Sequence, residues 1–267
     1  MVCGYGGDVL RQAVVEGAVG VFDSGVGGIS VLQELVRELP HEDFVFFGDS
    51  AHNPYGEKDP KEVLALSCDI VDRLVRDGCK AVVIACNTAT SAAARQLRAK
   101  YSHMPIVGVE PALKPAVLAY PHGRILVMAT PLTVRLDKFQ TLLHEWGGES
   151  QIVTVPCDGL AARIERGNLD DPDMIGLLQR LVGSYAGSVD AVVLGCTHYP
   201  FVREQIRAVL GDVSFFDSAA GTARQLRRRL DQEGLLARRE GPGNVRFASS
   251  CDSPKELELY HTFFGLA

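Results

Sequence analysis

AVVIACNTATSAAARQL, residues 81–97, is the stretch whose reading decides the fold. A short run of Ala, Val and Ile, too brief for a helix, ends on Cys86, Asn87 and Thr88, and an alanine-rich, helix-forming segment follows at once. That is the pattern of a buried strand that turns directly into a helix, with a thiol, an amide and a hydroxyl at the junction. About 110 residues later, DAVVLGCTHYPF (190–201) repeats it, with Cys196, Thr197 and His198 after the apolar run.

Working outward, further runs of the same kind appear: AVGVFD (18–23), DFVFFGD (43–49), IVGVE (106–110), RILVMAT (124–130), IVTVPC (152–157) and VSFFD (213–217), with NVRFAS (244–249) as a ninth strand. Between them lie segments such as GGISVLQELVREL and PKEVLALSCDIVDRLVRDG, whose apolar residues recur every three or four positions, as on one helix face. Strand and helix in alternation predict an α/β protein with parallel sheets.

The strands also align with one another. VGVF followed by Asp23–Ser24 matches ILVM followed by Ala129–Thr130. FVFFGD matches IVTVPC, Cys86 matches Cys196, and VGVEPA matches SFFDSA, all at offsets of about 106 to 110 residues. Four matches in one order predict two similar flavodoxin- or Rossmann-like units related by a pseudo-twofold axis. Ligands of such units bind beyond the carboxyl ends of the strands. The axis therefore brings Cys86 and Cys196 to opposite sides of one cleft.

Composition narrows the classes. The chain of 267 residues is 46% hydrophobic and 22% charged, enough for a full core. Its net charge is −6, and Lys and Arg are dispersed apart from RQLRRRL (224–230), read as the solvated face of a helix, so a nucleic-acid partner is not expected. Arg11 and Glu16 interrupt the N-terminal segment, which argues against a signal peptide, and no apolar window suggests a membrane span. Seven cysteines without a CxxC pair fit free thiols in a cytoplasmic protein. Cys3, Cys68, Cys79, Cys157 and Cys251 are read as small core residues.

What do two opposed thiols permit? A nucleophilic hydrolase wants one Cys with a His base, whereas here each half supplies its own thiol. Zinc wants four ligands at recognisable spacings, and Cys196–x–His198 is not a usual pair; no metal is expected. Acid/base work from two faces fits: one thiolate removes a proton from carbon and the opposite thiol returns one, which inverts the centre without a cofactor. Ionising a free thiol at neutral pH costs roughly 2 kcal/mol. Asn87, Thr88, Thr197 and the N-termini of the helices that follow both cysteines are the expected donors to the thiolates, and Asp23, Glu165 and His198 the expected proton relays. Gly25, Gly27 and Gly28 match neither GxGxxG nor a Walker motif and are read as freeing the backbone for a tight strand-to-helix turn. Asp23 alone also fits a helix cap, and Tyr55 on the NPYG turn a lid or a substrate contact.

GVFDSGVGG (20–28), NPYGEK (53–58), ACNTATS (85–91) and GCTHYPF (195–201), in that order, resemble glutamate racemase, from about Gly20 to Arg227. The resemblance implies cofactor-independent conversion of L- to D-glutamate for peptidoglycan synthesis. It implies Cys86 and Cys196 as the two acid/bases, assisted by Asp23 on the Cys86 side and by Glu165 and His198 near Cys196. Asp23, Ser24, Pro54, Tyr55, Gly56, Asn87, Thr88, Thr130, Thr197 and His198 are implied as substrate contacts. Ala129 stands where the family has Gly, next to the Thr130 contact. The implied fold has a first domain of 1–113 plus 224–267 and a second of 114–223, with the active site between them; some family members are homodimers and some monomers. A racemase for aspartate, a non-catalytic amino-acid-binding module and a one-cysteine hydrolase or transferase are the alternatives. Side-chain carboxylate recognition, loss of a thiol, and acylation of a Cys distinguish them in turn.

Overall fold

The computed structural model describes residues 17–148, 150–251 and 253–266. Nine strands form two sheets in which every pairing is parallel. They are β1 (Val19–Asp23), β2 (Phe44–Gly48), β3 (Ala81–Ile84), β4 (Ile106–Gly108), β5 (Arg124–Ala129), β6 (Gln151–Pro156), β7 (Ala191–Leu194), β8 (Ser214–Phe216) and β9 (Val245–Ser249). The helices are α1 (Ile29–Glu38), α2 (Pro60–Arg76), α3 (Asn87–Lys100), α4 (Leu113–Ala119), α5 (Pro131–Arg135), α6 (Asp137–Trp146), α7 (Leu160–Glu165), α8 (Pro172–Val182), α9 (Arg203–Leu210), α10 (Ala219–Gln232) and α11 (Pro254–Phe264). All nine expected runs are strands.

The duplication is written in the strand order. The first sheet runs β4-β3-β1-β2-β9 and the second β6-β5-β7-β8. Read from its other edge, the second is β8-β7-β5-β6, which repeats β4-β3-β1-β2 element for element. The strand β9 is the addition: it pairs with β2 and returns the chain to the first sheet. The helix α10 leads back as well, since it starts just after β8 and packs on α1.

The strands β1, β2, β3 and β7 are buried along their whole length, which is why they read as unbroken apolar runs: helices cover both faces of a parallel sheet. One face of β1 (Val19, Val21) shares a continuous core with one face of β5 (Leu126, Met128), so apolar packing runs through both units. The opposite faces pack separately, against Val71, Leu74 and Ala93 in the first unit and Leu113 and Phe139 in the second. In α10 the buried Leu226 and Leu230 alternate with exposed Arg224, Arg227 and Arg228, so the arginine run is a solvated face. Cys79 and Cys157 are buried free thiols, Cys68 and Cys251 are partly buried, and Cys3 lies outside the described residues. No helix among the described residues is long and apolar enough to cross a membrane.

The C-terminal addition reaches the carboxyl ends of the strands. Tyr260 of α11 has its hydroxyl 2.7 Å from Ser50 Oγ and donates to Ser249 Oγ at 3.1 Å. A side chain at Gly48 would meet that hydroxyl, since a Cβ there would stand 2.0 Å from it. The segment after β2 is thereby fixed at its base by the last helix.

Candidate active site

The polar ends of β1, β3, β5 and β7 converge on one closed cleft. Ser24, Pro54, Tyr55, Gly56, Cys86, Asn87, Thr88, Thr130, Cys196, Thr197 and His198 line it, together with Ala161 of α7. Both cysteines therefore face one cavity, each delivered by the equivalent strand of its sheet. Of the expected residues, Asp23 and Glu165 stand behind this lining and bond to it. The free volume is about 10 Å³, roughly what a single water molecule needs, so an amino acid enters only when the two sides part.

The two thiols have different surroundings. Cys86 is the N-cap of α3, and Ala89 N–H donates to its Sγ at 3.4 Å. Ser24 Oγ lies 4.0 Å from the sulfur, and the Asp23 carboxylate is a further side-chain hydrogen-bond partner. Burial, then the negative charge of Asp23, push the Cys86 thiol well above its ordinary pKa. The helix N-terminus works in the other direction, toward thiolate.

Cys196 has no such helix. It is followed by a 3-10 turn, Tyr199–Val202, and α9 begins only at Arg203. The expectation of a helix N-terminus at both thiols thus holds at Cys86 alone. Pro200 contributes to the difference, because it has no N–H to give to the Cys196 carbonyl four residues back, which Tyr199 N–H takes instead. Cys196 instead has an imidazole beside it: Sγ lies 3.6 Å from His198 Nδ1, and His198 Nε2 lies 2.5 Å from Glu165 Oε1. Burial lowers the pKa of His198, but the hydrogen bonds and charges of Cys196 and Glu165 outweigh it and hold the imidazole well above its ordinary value. As an imidazolium it donates one N–H to the sulfur and the other to the carboxylate.

Glu165 also accepts from Val26 N–H at 2.9 Å and Asn53 Nδ2 at 2.5 Å, both from the first unit. The turn behind it is held by buried Arg163, which donates to Asp173 and to the carbonyls of Gly167 and Asn168. In the opposite direction, Asp23 accepts from Ser24 N–H at 2.6 Å and from Thr197 Oγ1, a residue of the second unit, at 2.9 Å. Asp23 is not a helix cap: α1 begins after Gly28 with no side-chain cap. Burial raises its pKa, against the charge of His198 and the donors Ser24 and Thr197.

Gly25, Gly27 and Gly28 lie in the expected strand-to-helix turn and have a further reason. None has a positive φ; what they provide is room. A Cβ on Gly25 would stand 1.9 Å from Glu165 Oε1, one on Gly27 2.3 Å from His198 Nδ1, and one on Gly28 2.6 Å from Asp23 Cβ. The glycines let the loop lie flat against Glu165, His198 and Asp23.

Two expected contacts are altered in detail. The Thr88 hydroxyl is engaged in a triangle with Thr130 and Thr133, at 3.0, 3.0 and 2.8 Å, which ties α3 to α5 across the cleft. Asn87 has the reverse property. It is 3% exposed, and neither its Nδ2 nor its Oδ1 has a partner. A buried amide without a protein partner is costly, and this one lines the cavity.

A family model for Asp/Glu/Hydantoin racemase matches residues 19–226. The chain belongs to the aspartate/glutamate/hydantoin racemase family. Glutamate racemase of Clostridium perfringens is 42% identical over 252 residues, covering 94% of this chain and 97% of that one. The structure of glutamate racemase from Bacillus anthracis has a TM-score of 0.83 at 30% identity, covering 93% of this chain and 94% of that one. That of the Francisella tularensis glutamate racemase in complex with D-glutamate has a TM-score of 0.81 at 26% identity, covering 93% of each.

Several residues of this racemase site have no sequence signal that assigns them. Asn53 and Val26 hold Glu165, and Thr133 completes the hydroxyl triangle. Ser30 Oγ lies 2.8 Å from the carbonyls of both Thr197 and Gly27 and can donate to either, which pins the second motif to the glycine loop. Only Thr133 had a local hint, as the third residue after Thr130 in TPLT, where it donates to the cap at 3.2 Å. Among the described residues no group of three or more His, Cys, Asp or Glu is arranged to hold a metal ion.

Proposed function

We propose that the protein interconverts L- and D-glutamate by two-base proton transfer between Cys86 and Cys196, supplying D-glutamate for peptidoglycan synthesis in the cytoplasm. The observation that carries this reading is the pair of thiols on equivalent strands of two sheets, lining one cavity. Glutamate, and not aspartate, is the substrate favoured by the 42% identity to a glutamate racemase over nearly the whole chain.

The mechanism follows from the surroundings. Substrate lies with its α-carbon between the sulfurs. From one face Cys196, with His198 as its proton partner, takes or returns the α-proton; from the other Cys86 does so, with Asp23 behind it. As the proton leaves, negative charge grows on the α-carboxylate. The unpaired Asn87 amide, Ser24 and the first-turn amides of α3 are the groups placed to receive it. The closed cleft excludes water, which strengthens each of these contacts. We take residues 1–113 with 224–267, and 114–223, as the two moving units.

The test is racemisation of L-glutamate followed by circular dichroism, with α-proton exchange in D2O. Cys86→Ser and Cys196→Ser each lose inversion, while each retains exchange only on the enantiomer whose α-proton faces the surviving thiol. Full racemase activity in either variant ends the two-base reading.

A further inference from the structure

Outside the residues discussed so far, one carboxylate is buried beside the cleft without lining it. Asp49 directly follows β2 and is 2% exposed. Its backbone N–H donates to the carbonyl of Asp23 at 2.9 Å, so it is fixed to the end of β1. Both side-chain oxygens are engaged by the segment that follows. Tyr55 donates its hydroxyl to Oδ2 at 2.5 Å, and Oδ1 lies 2.8 Å from His52 Nδ1.

That segment is two 3-10 turns, Ser50–His52 and Tyr55–Glu57, with little regular structure of its own. Yet Pro54, Tyr55 and Gly56 form one wall of the cavity. On the far side Gly56 lies hard against Thr130, since a Cβ there would stand 2.7 Å from Thr130 Cβ. The wall therefore needs an anchor on the first unit. The buried Tyr55 ring supplies the arm and Asp49 the post.

We propose that Asp49 is a positioning residue for the reaction, acting through the Tyr55 hydroxyl to hold the Pro54–Tyr55–Gly56 wall of the cleft in place. It touches no substrate: it faces a separate surface hollow with Phe47, Leu66 and Ile70. The bond also fixes what Tyr55 offers the cleft. The phenol proton points at Asp49, and burial together with the Asp49 charge keeps Tyr55 protonated. The hydroxyl oxygen is left to accept, and is not a donor to a substrate carboxylate.

The inference rests on the glutamate-racemase reading and has its own test. Steady-state kinetics on glutamate are measured for Asp49→Ala, Asp49→Asn, Tyr55→Phe and the Asp49→Ala/Tyr55→Phe double variant, with thermal denaturation of each. A hydrogen bond to a buried charge sets the scale, so Tyr55→Phe and Asp49→Ala each raise KM roughly tenfold, with a smaller change in kcat. The double variant is no worse than the poorer single one, because one bond is removed twice. Asp49→Asn restores KM to within about threefold of wild type, since its amide oxygen still accepts from Tyr55 and its NH2 can donate to His52. Should Asp49→Ala fail to fold, Tyr55→Phe and Asp49→Asn carry the comparison. An unchanged KM in Tyr55→Phe, multiplying losses in the double variant, or no rescue by Asp49→Asn overturns the proposal while the wild type remains an active racemase. A wild type inactive on glutamate overturns the functional reading, and this inference with it.

Discussion

Gly27→Ala adds one methyl group and alters no ionisable residue, yet it is aimed at the acid/base centre. The new Cβ would lie 2.3 Å from His198 Nδ1, 2.6 Å from Cε1 and 2.7 Å from Cγ. Ordinary contact begins near 3.5 Å, so ring and loop must separate by about 1.2 Å. The backbone angles at Gly27 suit alanine, so the strain falls on that contact alone. His198 cannot yield freely, because it is buried and held by Cys196 at 3.6 Å and Glu165 at 2.5 Å. A shift of about 1 Å at a reacting group lowers the rate roughly 100-fold, and that is the expected loss in kcat/KM. The equilibrium constant of a racemisation is one, so the loss is equal for both enantiomers by thermodynamic necessity. The asymmetry appears in D2O: exchange of the α-proton that faces Cys86 outlasts inversion, because the new methyl group meets His198, the neighbour of Cys196, and not Cys86. Gly221→Ala on α10, with nothing within 4 Å of its Cβ, is the control; it leaves the kinetics alone and stabilises the helix by about 0.5–1 kcal/mol. A Gly27→Ala enzyme within about threefold of wild-type kcat/KM refutes the claim that the glycine loop holds His198 in register.

Two further outcomes follow from the buried titrating groups. Asp23 has its folded-state pKa raised above an unfolded value near 3.9, so its favourable contribution is complete below about pH 4 and is lost as pH rises through the folded pKa. At neutral pH it costs stability. Asp23→Asn therefore abolishes racemisation yet melts higher at pH 7, by roughly 2–4 °C for each kcal/mol relieved, and the gap narrows toward pH 4 in thermal denaturation; a lower Tm at pH 7 contradicts this. In Cys196→Ser the remaining base is Cys86, whose pKa is raised, so α-proton exchange climbs about tenfold per pH unit between pH 7 and 9 as the thiolate fraction grows. A flat profile across that range would place the base elsewhere.

The strands were legible for a physical reason. A strand covered on both faces must be apolar throughout, so AVVI and AVVL announce themselves, and the polar residues that end them stand where parallel sheets put ligand sites. What was not legible depends on how the two units dock. Nothing local in NPYG says that Asn53 meets Glu165, 112 positions away, and nothing in GVGG says that the space is needed for His198. The glycines do lie in the tight strand-to-helix turn that the sequence suggested, but the turn alone does not tell of the close approach they permit. Thr88 is a similar case: its place beside Cys86 was readable, but not that its hydroxyl is bound to Thr130 and Thr133. Asp49 looks like an ordinary turn residue until Tyr55 is seen folded back on it.

Duplication explains the two thiols but not their chemistry, because the helpers have diverged. Asp23 at the end of β1 corresponds to Ala129 at the end of β5, and Thr88 after the first cysteine corresponds to His198 after the second. Each surviving helper also leans on the other half. Asp23 is bonded to Thr197 of the second motif, while Glu165, which orients His198, is held by Val26 and Asn53 of the first unit. Neither acid/base set is therefore complete within its own unit. The Asp23–Thr197 and Glu165–Asn53 bonds span the cleft, as do Val26–Glu165 and the Thr88–Thr130–Thr133 triangle. On the two-base reading proposed above, each proton-transfer set is complete only while the two units are closed on one another, and parting them to admit an amino acid takes both sets apart.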